Sequence, residues 1–210
     1  MSSDAELIDL VQAVLAAPRH WSVTQVGEVV LRRKAIRYDG QLPEHLLHDL
    51  LDAMHAYLPG VGVGLAAPQI GIPLALAVID DPANVDPEVA LVRERLPQPR
   101  LDLINPVVTP VGSDRCAFYE GCLSITGLTA VVSRYRRVHL SAQDRNGRGY
   151  ELELSGWPAR IVQHETDHLN GVLYLDQAEL RSLSTNAAYE QHWTEPAPTA
   201  ASAALGFPLE

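Results

Sequence analysis

A chain of 210 residues, 47% hydrophobic and 20% charged, suits one globular domain with short extensions. Its formal net charge of −10 argues against any general attraction to nucleic acid or anionic membrane, and no run approaches the ~18 apolar residues of a membrane span. Two cysteines, Cys116 and Cys122, exclude a disulfide framework and leave a thiol available for chemistry.

The start, Met1-Ser2-Ser3-Asp4-Ala5-Glu6, is acidic and lacks the basic opening of a signal or transit peptide, so the cytoplasm is the expected location. From Asp4 to Ala17, Leu7, Leu10, Val11, Val14 and Leu15 recur at helical spacing, and Pro18 stops the run. Residues 21–38 are mixed and lean towards strand. Pro43 opens a second helix with an apolar stripe of Leu46, Leu47, Leu50, Leu51, Met54 and Leu58, ended by Pro59-Gly60. A glycine-rich turn, Gly60 to Gly71, precedes a buried strand from Leu74 to Ile79. Asp80 to Arg100 holds four prolines and many charges and reads as a surface loop.

Short strands are expected around 101–112, 115–119, 129–133, 137–144 and 149–154, with Arg145-Asn146-Gly147-Arg148 as the hairpin turn between the last two. Gly156-Trp157-Pro158 opens a helix closed by Asn170-Gly171. A last helix is expected over about 176–190, and the Pro- and Ala-rich tail from Glu195 reads as disordered. The pattern is α+β: short, mostly antiparallel β-sheets packed around a central helix, with N-terminal and C-terminal helices. The expected units are a helical extension over 1–20, a catalytic domain over 21–178, and a C-terminal helix with a flexible acidic tail over 179–210.

That central helix carries His164-Glu165-Thr166-Asp167-His168. Residues at i and i+4 share a helix face, so both imidazoles can bind one metal ion with Glu165 beside it to handle the protons of a water. Two histidines leave a catalytic site short of a third protein ligand. Cys122, in Glu120-Gly121-Cys122-Leu123-Ser124, is the best candidate: a thiolate suits soft or borderline metals, and glycine before it lets backbone approach closely. In Gly62-Val63-Gly64-Leu65-Ala66-Ala67-Pro68-Gln69, the Gln69 amide could stabilise a developing oxyanion. Alone, each feature has a plainer reading. HExxH occurs by accident, Cys122 alone would be a small core residue, and Gly-rich turns are common. Cys116 reads as core, and the other histidines as surface or packing residues.

Together the three clusters resemble the peptide deformylase family. Its motif GxGxAAxQ is met by Gly62, Gly64, Ala66, Ala67 and Gln69, EGCLS by Glu120 through Ser124, and QHExDHLxG from Gln163 through Gly171. The similarity covers most of the chain apart from about 20 residues at the start and 30 at the end.

The resemblance implies removal of the N-formyl group from the N-terminal formylmethionine of nascent peptides. Cys122, His164 and His168 would hold one divalent metal ion, Fe(II) in the cell, with Zn, Ni or Co possible in purified protein. Glu165 would carry the proton, and the Gln69 side chain and Leu123 backbone N–H would stabilise the oxyanion. Val63, Gly64, Gly121, Trp157 and Ile161 would bind substrate. Glu120 and Arg134 would form a supporting ion pair, and Asp167 would accept a hydrogen bond from a histidine or nearby backbone. Thr126, Thr129 and Arg160 depart from residues common in the family. Some members dock on the ribosome through a basic C-terminal helix; here residues 176–210 carry five acids and one arginine, so ribosome association stays open without an evident docking helix. Two rivals remain: a zincin-like metallopeptidase drawing its third ligand from Glu190 or His192, and an inactive metal- or peptide-binding homologue.

Overall fold

The structure is a computed structural model that describes residues 3–16 and 21–209. Helix α1 (Asp4–Leu15) begins at a reciprocal cap, in which the Ser3 side chain accepts from the Glu6 N–H and the Glu6 carboxylate from the Ser3 N–H. The expected stop at Pro18 lies outside the described residues. Helix α2 (Glu44–Tyr57) follows Pro43 and buries the expected leucine and methionine stripe. Both helices pack on a core that includes Leu65, Ile70, Leu74, Leu76 and Val78.

Among the described residues, eight strands form two antiparallel sheets. The larger runs β1 (Gly64–Ala66), β2 (Leu76–Asp81), β3 (Gln98–Pro110), β6 (Arg137–Gln143) and β7 (Gly149–Ser155), in that order. The smaller runs β4 (Arg115–Cys122), β5 (Ile125–Tyr135) and β8 (Ala178–Thr185). Helix α4 (Gly156–Leu169) packs against β1, β2, β3, β6 and β7 of the larger sheet and β5 of the smaller one. It buries Ala159, Ile161, Val162 and Leu169 against Ile79, Leu103, Val138 and Leu140. The helix bearing the paired histidines is thus held from both sheets, as the α+β pattern implies.

Several segments differ from the reading by pattern. Residues 21–38 form no strand; they make a 3-10 turn at Val29–Arg32 and one bridge, Ile36 to Leu74. Their backbone bonds go to distant elements, Thr24 N–H to Gln69 O, Val26 N–H to Ser124 O and Ala35 N–H to Leu169 O, so the segment is a strap across the domain. The glycine-rich turn contains β1 and a 3-10 turn at Ala67–Ile70.

The expected surface loop contains helix α3 (Pro87–Val92), started by Pro87 and by Asp86, whose side chain accepts from the Glu88 N–H. A bidentate pair between Arg95 and buried Asp81, both bonds at 2.9 Å, ties that segment down.

The largest departure is C-terminal. Residues 178–185 are a strand, not a helix, because β8 completes the smaller sheet through Leu128↔Thr185 and Val132↔Ala178. Edge pairing overrides the helical leaning of Ala178, Glu179, Leu180 and Arg181. Helices α5 (Asn186–His192) and α6 (Thr199–Leu205) follow. The described part of the tail packs on the smaller sheet: Ala201 and Phe207 are buried against Tyr119 and Val131, with Tyr189, Trp193 and Leu205 around them. A boundary at 178 therefore cuts through the sheet.

Candidate metal centre and cleft

Three elements converge on one point. The i, i+4 spacing on α4 sets the His164 and His168 rings 5.0 Å apart at 71°. Strand β4 delivers Cys122: its register with β5 slips between Gly121 and Cys122, and Cys122 then faces Ile125 across a tight Leu123-Ser124 turn. Ligand atoms of Cys122, His164 and His168 all lie within 4.8 Å of one another, and Cys122 Sγ is 3.3 Å from His168 Nε2. Among the described residues neither Glu190 nor His192 joins this group, as a zincin-like centre would require.

Glu120 fixes the orientation of His164. Its Oε2 accepts from His164 Nδ1 at 2.9 Å, which leaves Nε2 as the nitrogen a metal would take in place of a proton. Burial would raise the Glu120 carboxyl, but the Arg134 and Arg160 guanidiniums outweigh it and hold the group well below the usual carboxylate range. Arg134 donates to both Glu120 oxygens, at 2.7 and 3.0 Å, and to Asp167 at 2.6 Å. Asp167 thus accepts from Arg134 and from Gln177, at 2.8 Å, where a histidine or backbone donor was expected. Arg160 Nη1 donates to Glu120 at 2.5 Å. This is the physical sense of Arg160 in place of an apolar residue: it is a second buried cation on the carboxylate that orients His164.

Burial opposes a proton on His164, yet its bonds to Cys122 and Glu120 raise it well above the usual imidazole range. Burial and the neighbouring His164 charge lower His168. A thiolate with two imidazoles, one held in a fixed tautomer, fits a borderline divalent cation, and the three residues present meet that requirement.

Glu165 is 4% exposed, its Oε2 has no hydrogen-bond partner among the described residues, and burial pushes its carboxyl up to about 7. Space for it comes from β1. A Cβ on Gly64 would sit 2.3 Å from Glu165 Oε1 and 2.6 Å from its carboxyl carbon, so only glycine leaves Glu165 in this position. At Gly121 a Cβ would meet only Leu128 O at 3.9 Å, so the missing side chain leaves the cleft open there instead of permitting tight backbone packing. Gln69 lies on the 3-10 turn after β1. Its Oε1 accepts from the Ala66 N–H at 2.9 Å, and its Nε2 reaches Ser124 Oγ at 3.3 Å and Cys122 Sγ at 3.6 Å. The amide therefore presents its donor end to the sulfur.

The strap at 21–38 adds residues that no motif flags. Gln25 Nε2 donates to Leu123 O at 2.9 Å, and Gln25 Oε1 accepts from the Thr126 hydroxyl at 2.8 Å. Thr129 Oγ1 donates to Glu120 O at 2.7 Å. The departures Thr126 and Thr129 thus both brace the cysteine corner.

Above the metal ligands opens a cleft of about 480 Å³. Val63, Gly64, Gly121, Leu123, Trp157 and Ile161 line it, as do Gln69 and Glu165. So do Arg93, which follows α3, and Asn186, Tyr189 and Glu190 of α5, none of them expected among the substrate-binding residues.

Two imidazoles and a thiol beside a buried carboxylate, at the floor of an open cleft, define a metallohydrolase. A family model for polypeptide deformylase matches residues 21–183. Peptide deformylase 3 of Streptomyces avermitilis is 53% identical over 209 residues, covering 99% of this chain and 93% of its own. Peptide deformylase 1 of Streptomyces coelicolor is 49% identical over 209 residues, covering 99% and 96%. A class I type b peptide deformylase from Acinetobacter baumannii, solved with Met-Ala-Ser bound, superposes with a TM-score of 0.67 at 33% identity, covering 74% of this chain and 96% of its own. The chain belongs to the polypeptide deformylase family.

Proposed function

We propose that this protein removes the N-formyl group from the N-terminal formylmethionine of newly synthesised polypeptides, releasing formate and a free amine. The observation that carries the reading is the convergence of Cys122, His164 and His168 beside Glu165 in the cleft. Met-Ala-Ser in the related Acinetobacter baumannii deformylase, which has the chemistry of a deformylated product, supports it. Cys122, His164 and His168 would hold one divalent cation, which when bound acidifies water and polarises a carbonyl oxygen. The thiolate in the donor set suits Fe(II), with zinc, nickel or cobalt able to replace it on purification.

Glu165 takes the proton of the attacking water, for which a carboxyl pushed up to about 7 by burial is well matched. The Gln69 side chain and the Leu123 backbone N–H donate to the oxygen of the tetrahedral adduct. Glu165 then gives its proton to the departing nitrogen as the C–N bond breaks. Val63, Gly64, Trp157 and Ile161 receive the methionine side chain, Gly121 leaves room for the peptide backbone, and Glu120 with Arg134 and Asp167 keeps His164 in register. No helix among the described residues is long and apolar enough to cross a membrane, and the cytoplasm, where nascent chains emerge, is the proposed location.

The test is formate release from formyl-Met-Ala-Ser by anaerobically purified protein, with metal analysis on the same sample. Turnover with about one metal per chain is expected. Cys122→Ala should abolish both metal and turnover, whereas a zincin-like peptidase would keep its metal. Absence of formate from folded, metal-loaded protein would overturn deformylation, and loss of metal in Cys122→Ala would then leave the inactive-homologue reading.

A further inference from the structure

We infer that helix α5 forms the subsite for the residues that follow the formylated methionine, and that Glu190 gives that subsite a preference for a cationic side chain. The inference rests on the deformylase reading above. The family match ends at residue 183, before α5 begins. Strand β8 carries the chain there: Leu128↔Thr185 and Thr129↔Ser184 pair it to β5, and Gly127, Leu128 and Thr129 themselves line the cleft.

The α5 residues that reach the cleft are Asn186, Tyr189 and Glu190. Their i, i+3, i+4 spacing makes them one helix face. Tyr189 fixes how that face is turned, with its ring 4.9 Å from the Tyr119 ring of β4 at 58°.

Among the described residues, Glu190 is the carboxylate on this wall that no cation matches, and the cation Arg93, also without a carboxylate partner, is turned to aromatic rings and a backbone carbonyl. Glu120 is matched by Arg134 and Arg160. Arg93 lies over the Trp157 and Phe118 rings, at 5.3 and 5.8 Å, and gives its Nε–H to Pro196 O at 3.0 Å. Glu165 faces the metal ligands. Glu190 is exposed and makes no hydrogen bond or ion pair among the described residues. A peptide with its formyl end at the metal and its methionine against Trp157 and Ile161 must leave past a rim, and on the α5 side that rim carries one unmatched carboxylate.

An exposed ion pair of this kind is worth about twofold to fivefold in binding and weakens with salt. The experiment compares C-terminally amidated formyl-Met-Ala-Arg, formyl-Met-Ala-Ser and formyl-Met-Ala-Glu, with kcat and KM measured separately. In the native protein KM should be about threefold lower for the arginine peptide than for the glutamate peptide, with similar kcat, and 0.5 M salt should level the two. Glu190→Lys should reverse the order; the side chain is exposed, so folding is not at risk. An arginine-to-glutamate ratio that is the same in native protein and variant, or that survives high salt, would overturn the inference while leaving deformylation standing. No formate from any of the three peptides would overturn both.

Discussion

His164 and His55 each lie against a carboxylate backed by arginine. His164 Nδ1 meets Glu120 at 2.9 Å, with Arg134 and Arg160 behind it. His55 Nε2 meets Asp102 at 3.0 Å, with Arg145 donating to both Asp102 oxygens at 2.6 and 3.1 Å. The difference lies in the other nitrogen. That of His164 converges with Cys122 and His168 beside a cleft. That of His55 is buried on α2, whose stripe packs into the core, and has no partner among the described residues. A buried histidine–carboxylate pair is thus a clamp by default. It becomes part of a reactive centre only where the free nitrogen meets further donors in a space that substrate can enter.

The sharpest way to divide holder from proton carrier within the reactive cluster is Glu165→Ala. Turnover should fall by about 10³-fold while metal content stays at the native level. Residual kcat within a few-fold of native would remove Glu165 from the proton path. Gly64→Ala attacks the same carboxylate without touching it chemically. The new Cβ would fall 2.3 Å from Glu165 Oε1, so the side chain must swing away. A displacement of this size at a reacting group costs about 10²-fold in kcat, again with metal retained. Unchanged kcat would show that Glu165 tolerates a second position.

Glu120→Gln tests the clamp half of the reactive pair. The amide can still accept from His164, but it leaves two buried guanidiniums, Arg134 and Arg160, short of their counter-charge. Metal affinity should fall about 10- to 100-fold, read by competition with a chelator, and thermal stability should fall with it. Metal affinity equal to the native value would mean that His164 needs no such orientation.

The grouping of Cys122, His164 and His168 was legible from the chain because two motifs name those residues and helical spacing places two of the three. The amphipathic helices α2 and α4 were legible for the same reason: one local period decides them. What escaped was set by residues far apart. The need for glycine at 64 appears only when Glu165 is packed against it, and the role of Arg160 only when Glu120 is placed beside it. Strand β8 looked helical because its propensities are, and pairing with β5 decided otherwise. The tail looked disordered by its Pro and Ala content, yet Phe207 finds a buried place on Tyr119 and Val131.

The smallest effect, and the cleanest contrast with Glu120, is expected at Asp102. Burial alone would raise its carboxyl, but His55 and Arg145 bring it from 3.8 down to about 2. A group lowered on folding contributes stability while it is ionised. The contribution is complete above the ordinary carboxylate range and fades as pH falls from about 4 towards 2. Because the group is partly open to solvent, its worth is of order 1 kcal/mol. Asp102→Asn should then lower Tm by about 2–4 °C at neutral pH and by progressively less below pH 4. Metal content and kcat should stay native, unlike those of Glu120→Gln. The comparison is best made on metal-free protein, so that protonation of the metal ligands does not enter. A Tm difference that persists undiminished at pH 2 would show that Asp102 acts through shape and not through its charge.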